Sequence, residues 1–236
     1  MDESKQQWLF ALSAPIVAMC RDVSLSCTSH SVTDTDPPTS LHQFRCSDRE
    51  ELLEDVETLM HLAGNNELST LYRRWHQLTP GTPLVANDAP CVDQSLAEFV
   101  SQTAVYTGPA GIAAWYLARA GLILRLGFGD GLITEDESLW LHCQLSHSAR
   151  GCYRSWSAYV YGFLMGRAYW QSTSRNADFP PEHLVHSLLQ HGSAPWFEHI
   201  VRALLQPQDS PLSAHHWSLS CDEPPRPSTL AEEIWS

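Results

Sequence analysis

Positive charge is scarce in this sequence: 14 Lys and Arg stand against 27 Asp and Glu, a formal net charge of −13 over 236 residues. That balance argues against a nucleic-acid partner, because phosphate backbones are held by clustered cations. Long hydrophobic runs are lacking too. The segment Trp8–Cys20 is too short to span a bilayer, which takes about 20 apolar residues, and Pro15 interrupts it. The opening Met1-Asp-Glu-Ser-Lys5 lacks the basic flank of a signal peptide, so no membrane role is expected. The seven cysteines form no C-x-x-C pair, and their odd number argues against a disulfide framework or a zinc knuckle. The expected compartment is a reducing cytoplasm.

The familiar catalytic spacings are missing as well. There is no G-x-S-x-G elbow and no H-E-x-x-H. The glycines of Gly127-Phe-Gly-Asp-Gly131 lead into no Gly-Lys-Ser/Thr, so they read as a helix stop and not a phosphate loop. Twelve histidines raise the question of a metal, but His142 and His147 fall on different helix faces. His183 and His186, with His191 near, have no carboxylate spaced to complete a site. No metal and no cofactor is expected. Cys143 and Cys152 read as small apolar fillers of a helical core.

What is present is helix. Hydrophobic residues make up 43% of the chain, enough for a sizeable core. Residues 4–19 read as a short helix that must pack on the main body. Residues 22–40, rich in Ser, Thr, Asp and Pro, read as a loop. Ser47-x-x-Glu50 has the form of a capping box opening a helix to about Ala63, with Leu52, Val56 and Leu59 inward. A helix over Glu67–Leu78 follows, then a stop at Thr79-Pro-Gly-Thr-Pro83, then a helix capped by Asp93. Pro180-Pro181 and Ala194-Pro195 start two further helices. The fold class expected is all-α: one compact multi-helix domain over 1–206, with a Ser/Thr/Pro-rich loop near its start. A Pro/Ser-rich tail over 207–236 would be either mobile or draped over that domain.

The most informative stretch runs from Gly111 to Trp170. At 100° per residue, Ile112, Trp115, Leu122, Ile123 and Leu126 share one face of a helix, with Arg119 in its middle. A third helix of the stretch aligns Trp156, Tyr159, Val160, Phe163 and Trp170, and Arg167 lies inside that stripe. A guanidinium keeps its proton in a protein, so each arginine needs a carboxylate, carbonyls or a bound anion. The helix between them offers Glu137, third residue of the capping box Thr134-x-x-Glu137 and on the side of Trp140 and Leu141. The first expectation is a structural network of Arg119, Arg167, Glu137 and tryptophans that fixes helix register. The alternative is an anion pocket lined by Arg119 and Arg167 and walled by Trp115, Trp156 and Trp170.

Asp130-Gly-Leu-Ile-Thr-Glu-Asp-Glu137 also copies the second half of a calcium loop. Leu126 and Phe128 occupy its first and third ligand positions and have no oxygen to offer, so the match reads as shared turn-and-cap geometry.

The spacing Trp115 and Arg119, then Gly131, Ile133 and Glu137, then Trp156, Gly166, Arg167 and Trp170 resembles bacterial domain-of-unknown-function family 1266. Its pattern is Trp-Asp-x-x-Arg, Gly-Tyr-Ile-x-x-x-Glu and a Trp-containing helix ending Gly-Arg-x-x-Trp. Tyr116 stands here in place of the family's Asp, and Leu132 in place of its Tyr, which weighs against any metal or acid–base role at that position. The resemblance implies a helical fold and no established activity.

Charge is unevenly spread, with balances of −9 over 1–105, +1 over 106–170 and −5 over 171–236. The function expected is a non-catalytic cytoplasmic interaction or accessory protein, with a basic protein as the partner its acidity would steer. The alternative is a binding protein or enzyme for a small anion, built on Arg119, Arg167 and Glu137.

Overall fold

A computed structural model describes residues 1–20, 26–30, 44–79, 82, 84, 94–175, 195–206, 208, 210–219 and 222–230. The expected loop over 22–40 falls largely outside the described residues. The Asp93 cap, the helix after Pro180-Pro181 and the set His183, His186 and His191 lie outside them altogether.

The described elements are α1 (Glu3–Phe10), a 3-10 turn (Ala11–Ser13), α2 (Ala14–Met19), α3 (Arg49–Asn65), α4 (Ser69–Gln77) and α5 (Gln94–Thr107). A second 3-10 turn (Gly108–Ala110) leads to α6 (Ala113–Gly129), α7 (Glu135–Cys152), α8 (Trp156–Arg175) and α9 (Pro195–Leu205). Among the described residues there is no strand, and the fold is all-α. Among the described residues no single helix is long and apolar enough to cross a membrane.

Helix α6 is the axis of the domain. From Ala113 to Gly127 every residue is buried except Tyr116 and Arg119, which are half-buried. A helix apolar on all sides has to be surrounded. It packs against α2, α3, α7, α8 and the first 3-10 turn. It closes with a Schellman turn: Gly131 takes φ +73°, Gly131 N–H donates to Phe128 O at 3.1 Å, and Leu132 N–H donates to Gly127 O at 2.8 Å. The glycine and turn that imitate a calcium loop are therefore a helix stop. The first and last carboxylates of that segment are held by arginines, Asp130 by Arg45 at 3.0 Å and Glu137 by Arg49 at 2.5 Å.

The capping box Thr134–Glu137 forms as its spacing predicts, with both reciprocal bonds present. The one at the start of α3 is shifted by one residue. Asp48, not Ser47, accepts from the Glu51 N–H at 3.0 Å, and Glu51, not Glu50, reaches back to the Ser47 N–H and hydroxyl at 2.6 Å. Asp and Ser are comparable N-caps, so adjacent candidates compete.

Three indoles tie the N-terminal helix, the start of α8 and the tail into one cluster. Trp8 lies 5.3 Å from Trp156 and 5.6 Å from Trp217, and Trp156 lies 4.7 Å from Trp217. Each indole N–H finds a carbonyl: Trp8 that of His216, Trp156 that of His215, and Trp217 that of Tyr153. Leu212 and Leu230 are buried as well. The described tail residues are draped over the helices.

Glu137 fastens this drape. Its carboxylate accepts from the Thr134 N–H at 2.8 Å, Arg49 of α3 at 2.5 Å and the Thr229 hydroxyl at 2.6 Å. Burial alone would raise its pKa, but the bonds from Thr134, Thr229 and Arg49 outweigh burial and hold it at about 2. Glu137→Ala removes a buried acceptor shared by three segments. It is expected to lower stability by about 3 kcal/mol and to expose residues 222–230 to limited proteolysis. Arg49→Ala costs less, because the Arg49 side chain is 37% exposed. Equal, sub-kcal losses in both variants on urea denaturation would contradict this role.

Candidate functional site

Helices α6 and α8 pack tightly against each other at Gly166. A Cβ there would sit 2.4 Å from Trp115 Cβ and 3.1 Å from the Ile112 carbonyl, so only glycine lets the helices meet at this point. That contact sets Arg167, the next residue of α8, beside Trp115 and Arg119 of α6. The result is a cleft of about 340 Å³ lined by Met19, Phe44, Trp115, Arg119, Arg167, Trp170 and Gln171.

Its walls alternate indoles and guanidiniums. The Arg119 guanidinium carbon lies 5.6 Å from the Trp115 ring centre, and that of Arg167 lies 4.4 Å from the Trp196 ring of α9. Trp115 is 4% exposed and packs on Phe163 at 5.3 Å and Trp170 at 5.7 Å. Each cation on an indole face gains about 0.5–2 kcal/mol, depending on its desolvation. Two buried donors remain over: Trp115 Nε1–H and Arg119 Nε–H meet no acceptor among the described residues. Burial lowers the Arg119 pKa, and the charge of Asp55 and the nearby Tyr116 offset only part of that. No described lining residue is acidic. Such a cleft can solvate an anion and has little else to do with its charge.

The structure thus brings together Trp115, Arg119, Arg167 and Trp170, and leaves out Glu137 and Trp156. Glu137, expected beside Arg119 and Arg167, pairs with Arg49 instead. As third residue of its capping box it is turned to its own helix N-terminus and the first turn of α3. Trp156, expected as a pocket wall, belongs to the Trp8–Trp217 cluster.

The sequence reading passed over Arg125. It is fully buried, the most enclosed cation of the described residues. It donates to Ser13 Oγ at 2.8 Å and to the Ser26 carbonyl at 2.7 Å. Burial pulls its pKa down to about 10. The signal was available: a charge set inside the run Leu122-Ile-Leu-Arg-Leu126.

Arg125 holds the segment 26–30 against the core, where two histidines stand in for apolar packing. His30 is sandwiched between Phe10 and Phe128, at 4.5 and 3.8 Å with nearly parallel rings, and its Nε2 is 2.8 Å from Ser138 Oγ. His142 is fully buried and places Nδ1 2.8 Å from the Ser138 carbonyl, so that nitrogen carries the proton. Ser138 and His142 are buried and His30 half-buried, so the group belongs to the packing of the core. Among the described residues no group of His, Cys, Asp and Glu could hold a metal ion. A second cleft of about 300 Å³ between α3, α4 and the end of α7 offers Arg73 as its cation, and Arg73 Nε already donates to the Ser69 carbonyl.

Burial, reinforced by the charge of Arg125, pushes the pKa of His30 down to about 4; burial, with smaller effects from His30 and Arg125, takes that of His142 to about 3. In the unfolded chain both titrate near 6.5. The unfolded state then binds protons first as pH falls, so stability present above pH 6.5 is lost on the way down to 4 and 3. His142 alone should remove about 2 kcal/mol between pH 6.5 and 5, with His30 acting in the same direction. Below about 4.5 Glu137 adds a further loss. Urea titrations at pH 7 and pH 5 check this, and equal midpoints would contradict it.

Comparison with known proteins finds a family whose match includes the stretch that builds the cleft. Residues 41–217 match the family described as "Protein of unknown function (DUF1266)". Two Escherichia coli (strain K12) proteins are each 31% identical to the chain: uncharacterized protein YbeU over 183 residues and uncharacterized protein YbeR over 182. Each alignment covers 73% of this chain and 74% of the relative. No solved structure matches. The chain belongs to the DUF1266 family.

Proposed function

We propose that this DUF1266 protein is a non-catalytic binding protein whose α6/α8 cleft takes a small anion. The observation that carries the reading is the pair of buried donors, Trp115 Nε1–H and Arg119 Nε–H, left without an acceptor among the described residues in a cleft that also holds Arg167. A buried donor without a partner costs about 1–3 kcal/mol, and more when charged. A guanidinium cannot avoid that cost by losing its proton. An oxyanion would supply the acceptor that such donors lack, through charge-assisted bonds.

The lining supports binding and not turnover. Its described residues offer two guanidiniums, two indoles, an amide, a phenyl and a thioether, none of which titrates near neutral pH. An accessory protein that reads the level of an anionic metabolite fits this set better than an enzyme. The odd number of cysteines and the lack of a C-x-x-C pair support a reducing cytoplasm as its place of work.

A thermal-shift screen against inorganic phosphate, sugar phosphates, nucleotides and carboxylates tests the proposal. A ligand at 100 times its Kd adds about 2.7 kcal/mol, or about 5–10 °C in Tm for a chain of this size. Arg119→Gln and Arg167→Gln should abolish the shift. Without ligand, Arg119→Gln should unfold within about 1 kcal/mol of the parent, because no ion pair is lost. A loss of about 3–5 kcal/mol would mark Arg119 as structural, and a screen flat for every anion would overturn the reading.

A further inference from the structure

The cleft is more than two cations. Trp170 is 44% exposed, the one exposed indole among the described tryptophans, and it sits at the cleft beside Trp115 with the ring planes tilted by 37°. Folding usually removes an indole from water, since apolar surface gains about 25 cal/mol per Å² on burial. Phe44 and Met19 line the same space. A bare oxyanion would engage the guanidiniums and the Trp115 N–H and leave these three apolar groups with nothing to cover.

Resting on the anion reading above, we infer that the ligand is a small aromatic anion, an aryl group carrying one carboxylate or phosphate. Its acidic group meets Arg119, Arg167 and Trp115 Nε1–H, and its ring stacks on Trp170 against Phe44 and Met19. The cleft of about 340 Å³ lies at the lower end of the range for ligand pockets, about 300–1,000 Å³. It has room for one ring system and one acidic group, and an extended dinucleotide would not fit. Indole rings favour planar, electron-rich or extended π surfaces in offset geometry, which supplies selectivity for a ring without a hydrogen-bond code.

The test compares two matched pairs of probes on the full chain by NMR titration: phenyl phosphate against inorganic phosphate, and benzoate against acetate. Within each pair the charge group is shared and only the ring differs. The preferred pair also tells carboxylate from phosphate. The aryl member should bind about fivefold or more tightly than its ring-free partner. Trp170→Ala should erase that ratio, and Trp170→Phe should keep it. Equal affinities within both pairs, or a ratio that survives Trp170→Ala, would overturn the aromatic ligand while the anion reading stands. Failure of all four probes to bind would overturn both. Binding of the aryl probes undiminished in Arg119→Gln would replace both with a purely apolar pocket.

Discussion

A guanidinium cannot give up its proton, and α6 is surrounded on every side; the rest of the structure follows from how those two facts are reconciled. The helix carries two arginines, six residues apart, and they are treated differently. Arg125 is buried completely and is answered from inside the protein, by the Ser13 hydroxyl and the Ser26 carbonyl. Those two bonds draw the N-terminal turn and the segment 26–30 onto the core. Arg119 is half-buried at the crossing with α8, and its Nε–H, like that of Arg125, has no acceptor among the described residues. One arginine organises the fold, and the other is the one our proposal gives to a ligand.

Charge elsewhere in the molecule obeys the same logic from the opposite sign. Glu137 is a buried carboxylate that accepts bonds from three separate segments, α3, its own helix cap and the tail. Asp130 at the neighbouring turn is taken by Arg45. These acidic groups are thereby used up in closing the domain. The cleft at the α6/α8 crossing keeps its positive character although the chain as a whole is acidic. Long-range repulsion from a net charge of −13 is screened over about 8–10 Å in physiological salt, so a desolvated local pair of cations outweighs it at contact distance.

Much of this was legible in the sequence. The helices after Ser47 and Thr134 announce themselves by cap and period, and the Thr134–Glu137 box forms as spacing requires. The pairing of Trp115 and Arg119 with Arg167 and Trp170 was legible too, because each pair sits one helical turn apart on a stripe that must face the other helix. Partners distant in the chain were not. Nothing in a local spacing says that Glu137 meets Arg49, 88 residues away, or that Trp156 meets Trp217 and not Trp115. The angular reading of α6 also assumed one buried face. With the helix buried all round, Arg125 on another side was as constrained as Arg119, and reading a single stripe passed over it. The shifted cap at Asp48 has a smaller cause, two neighbouring residues of equal capping ability.

On our proposal Trp115 Nε1–H and Arg119 Nε–H are held ready for an anion. These two protons can be observed directly, as ¹⁵N–¹H resonances of the indole and the guanidinium, while phenyl phosphate is added to the protein. The account predicts that both move downfield together and saturate with one common Kd, and that Arg119 Nε–H becomes slower to exchange with water. Resonances that stay still while other parts of the spectrum respond, or that shift without saturating, would contradict it.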